Sequence, residues 1–389
     1  MLPSLLPFAA VLPATAYSLL SLWCGWCFFR RREAQGPVHA SVPISILKPV
    51  KGMDEGSYEN FASFCRQHYD APVQLIFAVA DGDDPVIPII KQLIADFPEH
   101  EIGLHIAGTI HGPNYKVSNL INAFPQARYD LLMICDSDIR VGPTFLQSVT
   151  SSFADPTLGL VSSLYCSSRV LGPVTALEAL AFTTEMTPNV LVAHKLEGLS
   201  FALGAAMTFR RKALETIGGL QSLVDYLADD YQLGHQIHRA GWKLALDRQL
   251  VESMLKPETL GCILARQLRW ARTMRVSRPA GYLASGITLP GLAILLALAA
   301  GPLPAALSAI ALLYLVRTSV CTCFSRCWVT DRLLPAWGWL LPLRDLLAFG
   351  TWLLSFLGNR VTWRGHRFIV RPGGRLTPLT KPNLYFFRN

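Results

Sequence analysis

The sequence predicts an α/β domain with a mostly parallel sheet, combined with α-helical transmembrane segments. Short β-rich apolar runs at 44–47, 73–79 and 131–135 alternate with stretches of helical pattern, as expected for a sheet covered on both faces. Long uncharged runs lie towards both ends of the chain. Of the 389 residues, 51% are hydrophobic and only 16% are charged, with a mean hydropathy of +0.33. This composition excludes intrinsic disorder and is unusual for a soluble protein.

The first element is a segment without charged side chains, residues 1–29, which is followed at once by Arg30-Arg31-Arg32. A helix of this length crosses the roughly 30 Å hydrocarbon core of a bilayer. A signal peptide would carry its basic residues before the apolar run. We therefore predict a transmembrane anchor over 1–32, with the residues after it in the cytoplasm, because basic flanks stay on the cytoplasmic side.

The middle of the chain, 38–278, is predicted to form the α/β domain. Ligands of such sheets bind beyond the carboxyl ends of the strands. Two of the apolar runs lead directly into acidic clusters, Asp81-Gly82-Asp83-Asp84 and Asp136-Ser137-Asp138, so we place the functional site there. The helical stretches between the apolar runs are 58–68, 86–96 and 117–124.

The C-terminal part, 279–359, is predicted to return to the membrane. An uncharged run at 279–316 is interrupted by Gly301-Pro302-Leu303-Pro304, which predicts a hairpin of two helices followed by a loop that carries Arg317, Arg326 and Arg332. The apolar segment 333–359 contains Pro342, Arg344 and Asp345, so it is either a re-entrant or interfacial element or a span with a paired Arg and Asp. The tail, 360–389, has six Arg, one Lys and no acid. Its charge favours the cytoplasm, whereas a fourth crossing would place it outside.

Charge and missing motifs exclude several classes of protein. The net charge is +8, which in a membrane protein indicates contact with anionic lipid. Neither a zinc-finger spacing nor an RNA-binding signature is present, so nucleic acid is not an expected partner. The glycine-rich loops of dehydrogenases and P-loop enzymes and the GxSxG turn of serine hydrolases are also missing.

The D-x-D cluster is the first candidate site. Asp136 and Asp138 are separated by one residue at a strand end, where they can hold Mg²⁺ or Mn²⁺ together with diphosphate oxygens. Such an ion neutralises a departing nucleoside diphosphate. Asp also caps turns, and the pattern alone leaves that alternative open.

Two further acidic clusters have two readings each. Asp81 and Asp84 can accept hydrogen bonds from a nucleoside, or cap the helix that Pro85 begins. Asp229 and Asp230 lie at the predicted start of a helix, where one carboxylate can act as a general base towards an acceptor hydroxyl, or simply cap the helix.

A basic motif precedes the predicted hairpin. Arg266, Arg269 and Arg272 share one helix face, which suits contact with diphosphate or with acidic lipid. Trp270 can stack on an acceptor or lie at the membrane interface. The alternative is an ordinary basic helix beside the membrane.

Residues 180–196, which include Phe182 and Val190, form a further apolar segment. We expect them either to line the path by which a lipid reaches the site or to form a core helix under the sheet.

The three acidic clusters are followed along the chain by the Arg266–Trp270 motif. This order of motifs resembles that of membrane-bound glycosyltransferases of family 21 and related family 2-like enzymes. The resemblance to the ceramide glucosyltransferase group rests on segments at 46–52, 83–85, 116–120, 135–141 and 363–365. Within it, the segments 58–67, 228–231 and 268–273 resemble the branch that acts in bacterial hopanoid biosynthesis. Some ceramide enzymes have Gly where this chain has Asp138, which strengthens the metal assignment and weakens a direct transfer of ceramide specificity.

The resemblance implies a GT-A-type nucleotide-sugar-binding domain and assigns roles. Asp230 is the expected base and Asp229 orients it. Asp136 and Asp138 are the expected metal ligands. The residues expected to bind the UDP-sugar or shape the acceptor entrance are Asp81, Asp84, Lys116, Asp136, Arg266, Arg269 and Trp270.

The function implied is inverting transfer of N-acetylglucosamine from UDP-N-acetylglucosamine to the lipid bacteriohopanetetrol by a multi-pass protein of the bacterial inner membrane, with its catalytic domain in the cytoplasm. Ceramide as acceptor with UDP-glucose as donor is the alternative within the same class. A membrane scaffold without catalytic activity, in which the acids are caps and the tail binds lipid, is the alternative from another class.

Overall fold

The structure is a computed structural model that describes residues 2–30, 41–167 and 169–379. Arg31 and Arg32 of the predicted basic stop, and residues 380–389 of the basic tail, lie outside the described residues. The helices are α1 (Leu2–Arg30), α2 (Ser57–Cys65), α3 (Ile87–Asp96), α4 (Tyr115–Ala123), α5 (Phe145–Ser151), α6 (Pro173–Ala181), α7 (Thr187–Glu197), α8 (Arg211–Thr216), α9 (Asp229–Arg239), α10 (Leu260–Ser277), α11 (Pro279–Ser285), α12 (Pro290–Ala300), α13 (Leu303–Cys323), α14 (Leu333–Trp337) and α15 (Leu341–Ser355). The strands are β1 (Ile44–Val50), β2 (Val73–Val79), β3 (Glu101–Ile106), β4 (Leu131–Cys135), β5 (Ile139–Arg140), β6 (Leu158–Cys166), β7 (Ala206–Arg210), β8 (Lys243–Ser253), β9 (Arg360–Trp363), β10 (His366–Val370) and β11 (Leu376–Pro378).

The chain divides into two compact units. Among the described residues, the sheet unit consists of 41–165, 199–256 and 375–379, and the helical unit consists of 2–30, 166–167, 169–198 and 257–374. This division differs from the predicted domain at 38–278, because residues 166–198 and 257–278 cluster with the apolar helices. The stretch 180–196 therefore belongs to the helical unit and is not a core helix under the sheet.

The sheet unit contains an eight-stranded sheet in the order β3-β2-β1-β4-β7-β6-β8-β5. Neighbours among β3, β2, β1 and β4 are parallel, and β7 then runs antiparallel to both β4 and β6. The predicted apolar runs are confirmed as β1, β2 and β4, and the predicted helices between them as α2, α3 and α4. The carboxyl ends of β1, β2 and β4 open at the same edge of the sheet, which is where the acids follow.

Helices cover both faces of this sheet. Alternate side chains of β1 point to opposite faces, so Ile44 and Ile46 pack with α2, α3 and α5, whereas Leu47 packs with α4, α8 and α9. Phe61 and Phe145 fill the first layer, and both are fully buried. Burial on both faces explains why these strands are continuous apolar runs in the sequence.

The helical unit contains the segments long and apolar enough to cross a membrane. Among the described residues, two helices meet this condition, Pro3–Arg30 and Leu303–Val329. A third candidate is the pair Pro279–Thr288 and Pro290–Ala300, which is bent by 52°. The predicted turn at 301–304 is confirmed as the break between α12 and α13. A Cβ atom on Gly301 would lie only 2.5 Å from the Pro3 carbonyl oxygen, so this turn packs directly on α1.

The loop predicted at Arg317 is wrong, because α13 continues through this residue. Arg317 is buried and forms a two-pronged ion pair with Asp345 of α15, at 2.8 Å from Nε to Oδ2. Tyr314 donates a further hydrogen bond to Asp345 at 3.1 Å. A buried carboxylate partner removes most of the cost of placing a guanidinium among apolar helices, so the helix does not have to end before it.

The segment 333–359 does not form a long span either. It contains the short α14 and the 15-residue α15, and it is not among the helices long enough to cross a membrane. Arg344 and Asp345 do not pair with each other. Arg344 is buried and contacts Glu185 at 2.6 Å and Gln267 at 2.5 Å, so each charge of α15 finds its partner on another helix.

The stretch 180–196 forms α6 and α7, joined by a π-helical turn at Phe182–Met186. Among its contacts are two with α1: Tyr17 donates a hydrogen bond to Asn189 at 2.6 Å, and the Lys195 ammonium lies 5.0 Å from the centre of the Trp23 ring. These polar groups hold the C-terminal half of α1 against α7.

Candidate active site

The Asp136–Asp138 loop joins β4 to β5 at the edge where the parallel strands end. The Asp136 amide donates to the carbonyl oxygen of Ala205 at 3.1 Å, and the Met254 amide donates to that of Asp138 at 2.9 Å. The Ser253 hydroxyl, at the end of β8, donates to Asp138 Oδ2 at 2.8 Å. Residues at the ends of β7 and β8 therefore hold the main chain of this loop and the carboxylate of Asp138 at the carboxyl end of β4.

Lys116, in the first turn of α4, connects this loop to the second acidic cluster. Its Nζ lies 2.7 Å from Asp136 Oδ1 and 3.4 Å from Asp229 Oδ2. Burial on its own would lower the pKa of Lys116, but the charges of the surrounding aspartates outweigh it and raise that pKa above its usual range. Lys116 is therefore a permanent cation between two groups of carboxylates.

Asn114 also joins these two segments, and sequence reasoning missed it. It is fully buried, and its side-chain oxygen accepts a hydrogen bond from the Val117 amide at 3.0 Å, which caps α4. Its side-chain amide donates to the Tyr226 carbonyl at 2.8 Å and, weakly, to Asp229 Oδ1 at 3.4 Å. The sequence offered one indication of this residue, an Asn directly before a helical stretch. Nothing in the sequence indicated that Asn114 contacts Asp229.

Asp230 follows Asp229 in the first turn of α9 and rests on a glycine. A Cβ atom on Gly204 would lie 2.8 Å from Asp230 Oδ2, so only glycine leaves space for this carboxylate. Burial and the charge of Asp229 raise the pKa of Asp230 to about 6, and Lys116 opposes the shift in part. A carboxylate of this basicity accepts a proton from a hydroxyl more readily than an ordinary aspartate. Sequence reasoning missed Gly204.

The carboxylates near β4 have the character of a cation site. Burial and the charge of Asp136 raise the pKa of Asp138 to about 6, while the Ser253 hydrogen bond lowers it in part. Asp54 adds a third negative charge, and its Oδ2 accepts a hydrogen bond from Ser137. Within 2–30, 41–167 and 169–379, no group of three His, Cys, Asp or Glu side chains is arranged to hold a metal alone. Clustered carboxylate oxygens fit Mg²⁺ or Mn²⁺ when phosphate and water complete the coordination.

A buried lysine lies beneath the loop and was also missed. Lys48 of β1 is fully buried, and its Nζ donates to the Asp136 carbonyl oxygen at 3.0 Å. The ammonium group lies 4.2 Å from the centre of the Phe64 ring. Asp136 is thus held by one ammonium group on its main chain and by that of Lys116 on its side chain.

The first acidic cluster follows β2, and its two aspartates differ. Asp84 is buried, and its carboxylate accepts hydrogen bonds from the Gly52 amide at 2.9 Å and from the Val86 amide at 3.0 Å. It therefore joins the loops that follow β1 and β2, and it caps the approach to α3. Asp81 is half-buried and accepts a hydrogen bond from the Asp83 amide at 3.0 Å.

Arg266, Arg269 and Trp270 lie on α10 and belong to the helical unit, whereas the other predicted site residues belong to the sheet unit. Arg266 is already neutralised: its Nε donates to Glu178 Oε1 at 2.8 Å, and its Nη1 lies 2.8 Å from Glu258 Oε2. Trp270 is 37% exposed. The sequence indicated the basic face of α10, but it did not indicate which carboxylates form ion pairs with Arg266.

Comparison with solved structures supports the fold. The mannosyltransferase PcManGT from Pyrobaculum calidifontis, solved in complex with GDP-Man and Mn²⁺, aligns with a TM-score of 0.53 and 16% identity, over 91% of this chain and 98% of that chain. The fold is therefore that of a GT-A-like glycosyltransferase with additional helices. At this identity the similarity shows the fold alone.

Comparison with curated proteins finds ceramide glucosyltransferases. Ceramide glucosyltransferase 3 of Caenorhabditis elegans is 28% identical over 236 residues, which is 60% of this chain and 51% of the relative. Ceramide glucosyltransferase 1 of the same organism is 30% identical over 205 residues, 52% and 43% of the two chains. The chain thus spans about half the length of the curated relatives it matches. The sequence profile of glycosyl transferase family 21 matches residues 6–376, and the chain therefore belongs to this family.

Proposed function

We propose that the protein transfers a sugar from a UDP-sugar to a hydroxyl group of a membrane lipid by a single inverting displacement. The observation that carries the proposal is the arrangement around Lys116. This ammonium group bridges the D-x-D carboxylate Asp136 and the acidic pair at the start of α9. A site for a diphosphate and a site for a base are thus adjacent, as such a displacement requires.

In the proposed reaction, Asp230 accepts the proton of the acceptor hydroxyl as its oxygen attacks the anomeric carbon. The bond from that carbon to the diphosphate oxygen breaks, and UDP leaves with the bonding electron pair. Asp229, held by Lys116 and Asn114, orients Asp230. A divalent cation at Asp136 and Asp138 would stabilise the negative charge on the leaving group. The Mn²⁺ in the similar mannosyltransferase structure supports such an ion.

The remaining predicted residues keep their proposed roles with one change. Asp81 is a contact for the nucleoside, and Asp84 shapes that contact by joining the two loops. Arg269 and Trp270 shape the acceptor entrance. Arg266 can meet a diphosphate only if the anion competes with Glu178 and Glu258.

Two substrate pairs follow from different observations. The resemblance of 58–67, 228–231 and 268–273 to the hopanoid branch favours bacteriohopanetetrol with UDP-N-acetylglucosamine. The names of the curated relatives favour ceramide with a glucosyl donor. Both acceptors are lipids with a hydroxyl group, so the mechanism above is common to both.

The proposed location is the bacterial inner membrane, with the sheet unit in the cytoplasm. Crossings by α1, by the bent pair α11–α12 and by α13 return the chain to the cytoplasmic side before α14. Because α15 is too short to cross, the basic tail then lies on the cytoplasmic side, as its charge requires. In this proposed topology, the charge of the tail and the number of crossings agree.

This topology is tested with reporter fusions. Alkaline phosphatase is active only outside the cytoplasm, so we expect an active fusion after Pro302 and an inactive fusion after Leu379. Green fluorescent protein at the same two positions should give the opposite pattern. Phosphatase activity after Leu379 would show a fourth crossing and contradict the proposal.

Activity is tested with the purified full chain and Mg²⁺ or Mn²⁺. UDP-N-acetylglucosamine and UDP-glucose are each offered with bacteriohopanetetrol and with ceramide, and lipid products are identified by mass spectrometry. We expect a single pair to give a glycolipid. Asp230→Asn keeps the shape of the side chain but removes the base, so we expect turnover to fall by about a hundredfold or more while UDP still binds. Unchanged turnover in Asp230→Asn would contradict its role, and a wild-type protein that neither turns over nor binds UDP would be a scaffold.

The raised pKa of Asp230 predicts the acid limb of the pH profile. The base must be deprotonated to accept a proton, so we expect kcat/KM, measured at saturating cation, to fall about tenfold per pH unit below about pH 6. An aspartate with its ordinary pKa of about 3.9 would give this fall only at much lower pH. Lys116→Gln removes a charge that lowers this pKa, so its limb should move to higher pH. A profile that stays flat down to pH 5 in the wild type would show that Asp230 is not the base.

Gly204→Ala tests the space behind the base. A methyl group 2.8 Å from Asp230 Oδ2 must displace the carboxylate, so we expect kcat to fall at least tenfold, with the KM for the UDP-sugar little changed. Gly142→Ala is the matched control, because nothing lies within 4 Å of the added atom. If both variants keep full kcat, Gly204 does not position the base.

A further inference from the structure

The arginines along α10 differ in what neutralises their charge. Towards the start of the helix, Arg266 contacts Glu178 and, at 2.8 Å, Glu258. Directly after its end, Arg278 contacts Glu197. Each of these guanidinium groups therefore has a carboxylate partner within the helical unit.

Between them, Arg272 and Arg275 have no carboxylate partner among the described residues, and their hydrogen bonds go to uncharged oxygen atoms. Arg272 donates through Nη1 to the carbonyl oxygen of Arg360, and Arg275 donates through Nη2 to Asn359 Oδ1 and, at 3.4 Å, to the carbonyl oxygen of Gly358. The Nε atoms of both arginines are buried and have no hydrogen-bond partner in the part of the chain that the structure describes. Burial and the neighbouring Arg275 lower the pKa of Arg272, which reflects positive charge without a counter-ion.

The hairpin of β9 and β10 adds further cations beside this pair. Strand alternation buries Val361 and Phe368 and turns basic side chains outwards. No Asp or Glu follows Asp345 anywhere in the sequence. The exposed basic side chains are Arg360, Arg364 and Arg367.

Exposed apolar side chains adjoin the same arginines. The guanidinium of Arg275 lies 5.5 Å from the centre of the Phe356 ring. Phe356 is 39% exposed and Leu357 is 76% exposed, directly before the hairpin. Apolar side chains next to unpaired guanidinium groups match the boundary between acyl chains and phosphate groups in a bilayer.

We propose that Arg272 and Arg275, together with the exposed arginines of the β9–β10 hairpin, bind the phosphate group of an anionic membrane lipid. A guanidinium group binds phosphate oxygens through two parallel hydrogen bonds, and the positive charges of Arg272 and Arg275 have no carboxylate partner among the described residues. The site is distinct from the proposed transfer reaction and does not depend on which lipid is the acceptor.

The test uses the full chain in neutral detergent micelles, titrated with phosphatidylglycerol or with phosphatidylcholine. Thermal unfolding and native mass spectrometry report binding. We expect phosphatidylglycerol, but not phosphatidylcholine, to raise the Tm, and the effect to weaken with added salt. Arg272→Gln/Arg275→Gln should lower the apparent affinity for phosphatidylglycerol by about tenfold or more. The matched control is Arg278→Gln, on the same helix but paired with Glu197, which should respond as the wild type does.

Several results would overturn the proposal. One is an equal response of the wild type to both lipids, and another is a double variant that keeps the full phosphatidylglycerol response. Stabilisation by inorganic phosphate alone, at the same phosphate concentration, would indicate a site for a free anion. Loss of UDP binding in the double variant would assign the arginines to the donor site instead. If the double variant does not fold, Arg272→Lys/Arg275→Lys keeps the charge but cannot form the two parallel hydrogen bonds of a guanidinium group, so an affinity for phosphatidylglycerol equal to that of the wild type would contradict the proposal.

Discussion

The crowding of carboxylates around the ammonium group of Lys116 is the constraint on which the site depends. Asp136 comes from the end of β4 and Asp229 from the start of α9, so one side chain holds two distant segments at a fixed separation. Without this cation, the partly buried carboxylates would repel each other. The spacing of the two acidic segments therefore rests on Lys116.

Backbone packing supplies the rest of the precision. A Cβ atom on Gly234 would lie 2.3 Å from the Ala202 amide nitrogen, so α9 rests directly on the segment that contains Gly204. The acids occupy the first turn of that helix, where the helix dipole favours negative charge. Asp230 is thus positioned by the helix that carries it and by the close backbone contact beneath that helix, and the buried Asn114 contacts the neighbouring Asp229.

The sequence was sufficient for features that depend on local pattern. Apolar runs buried on both faces identified β1, β2 and β4, and the acids that follow them indicated the edge of the sheet where the candidate site lies. The sequence pattern did not predict β3, because this strand is half-exposed, contains Gly103 and lacks a continuous apolar run. Long-range ion pairs were not predicted for a different reason. Glu178 and Arg266 are far apart in the sequence, as are Arg317 and Asp345. No local pattern indicates which distant carboxylate neutralises a given arginine.

The order in which the chain passes between the two units has a consequence for biogenesis. Residues 199–256, which complete the centre of the sheet, are synthesised only after residues 166–198. Residues 166–198 belong to the helical unit. A ribosome therefore releases β1 to β6 before β7, which lies beside β4 at the centre of the sheet, has been synthesised. The strands that are synthesised first therefore have an uncovered edge until β7 has been synthesised. A soluble fragment cut at 38–278 would keep α6 and α7 without the helices that cover them, and aggregation during translation is the expected fate of such a fragment.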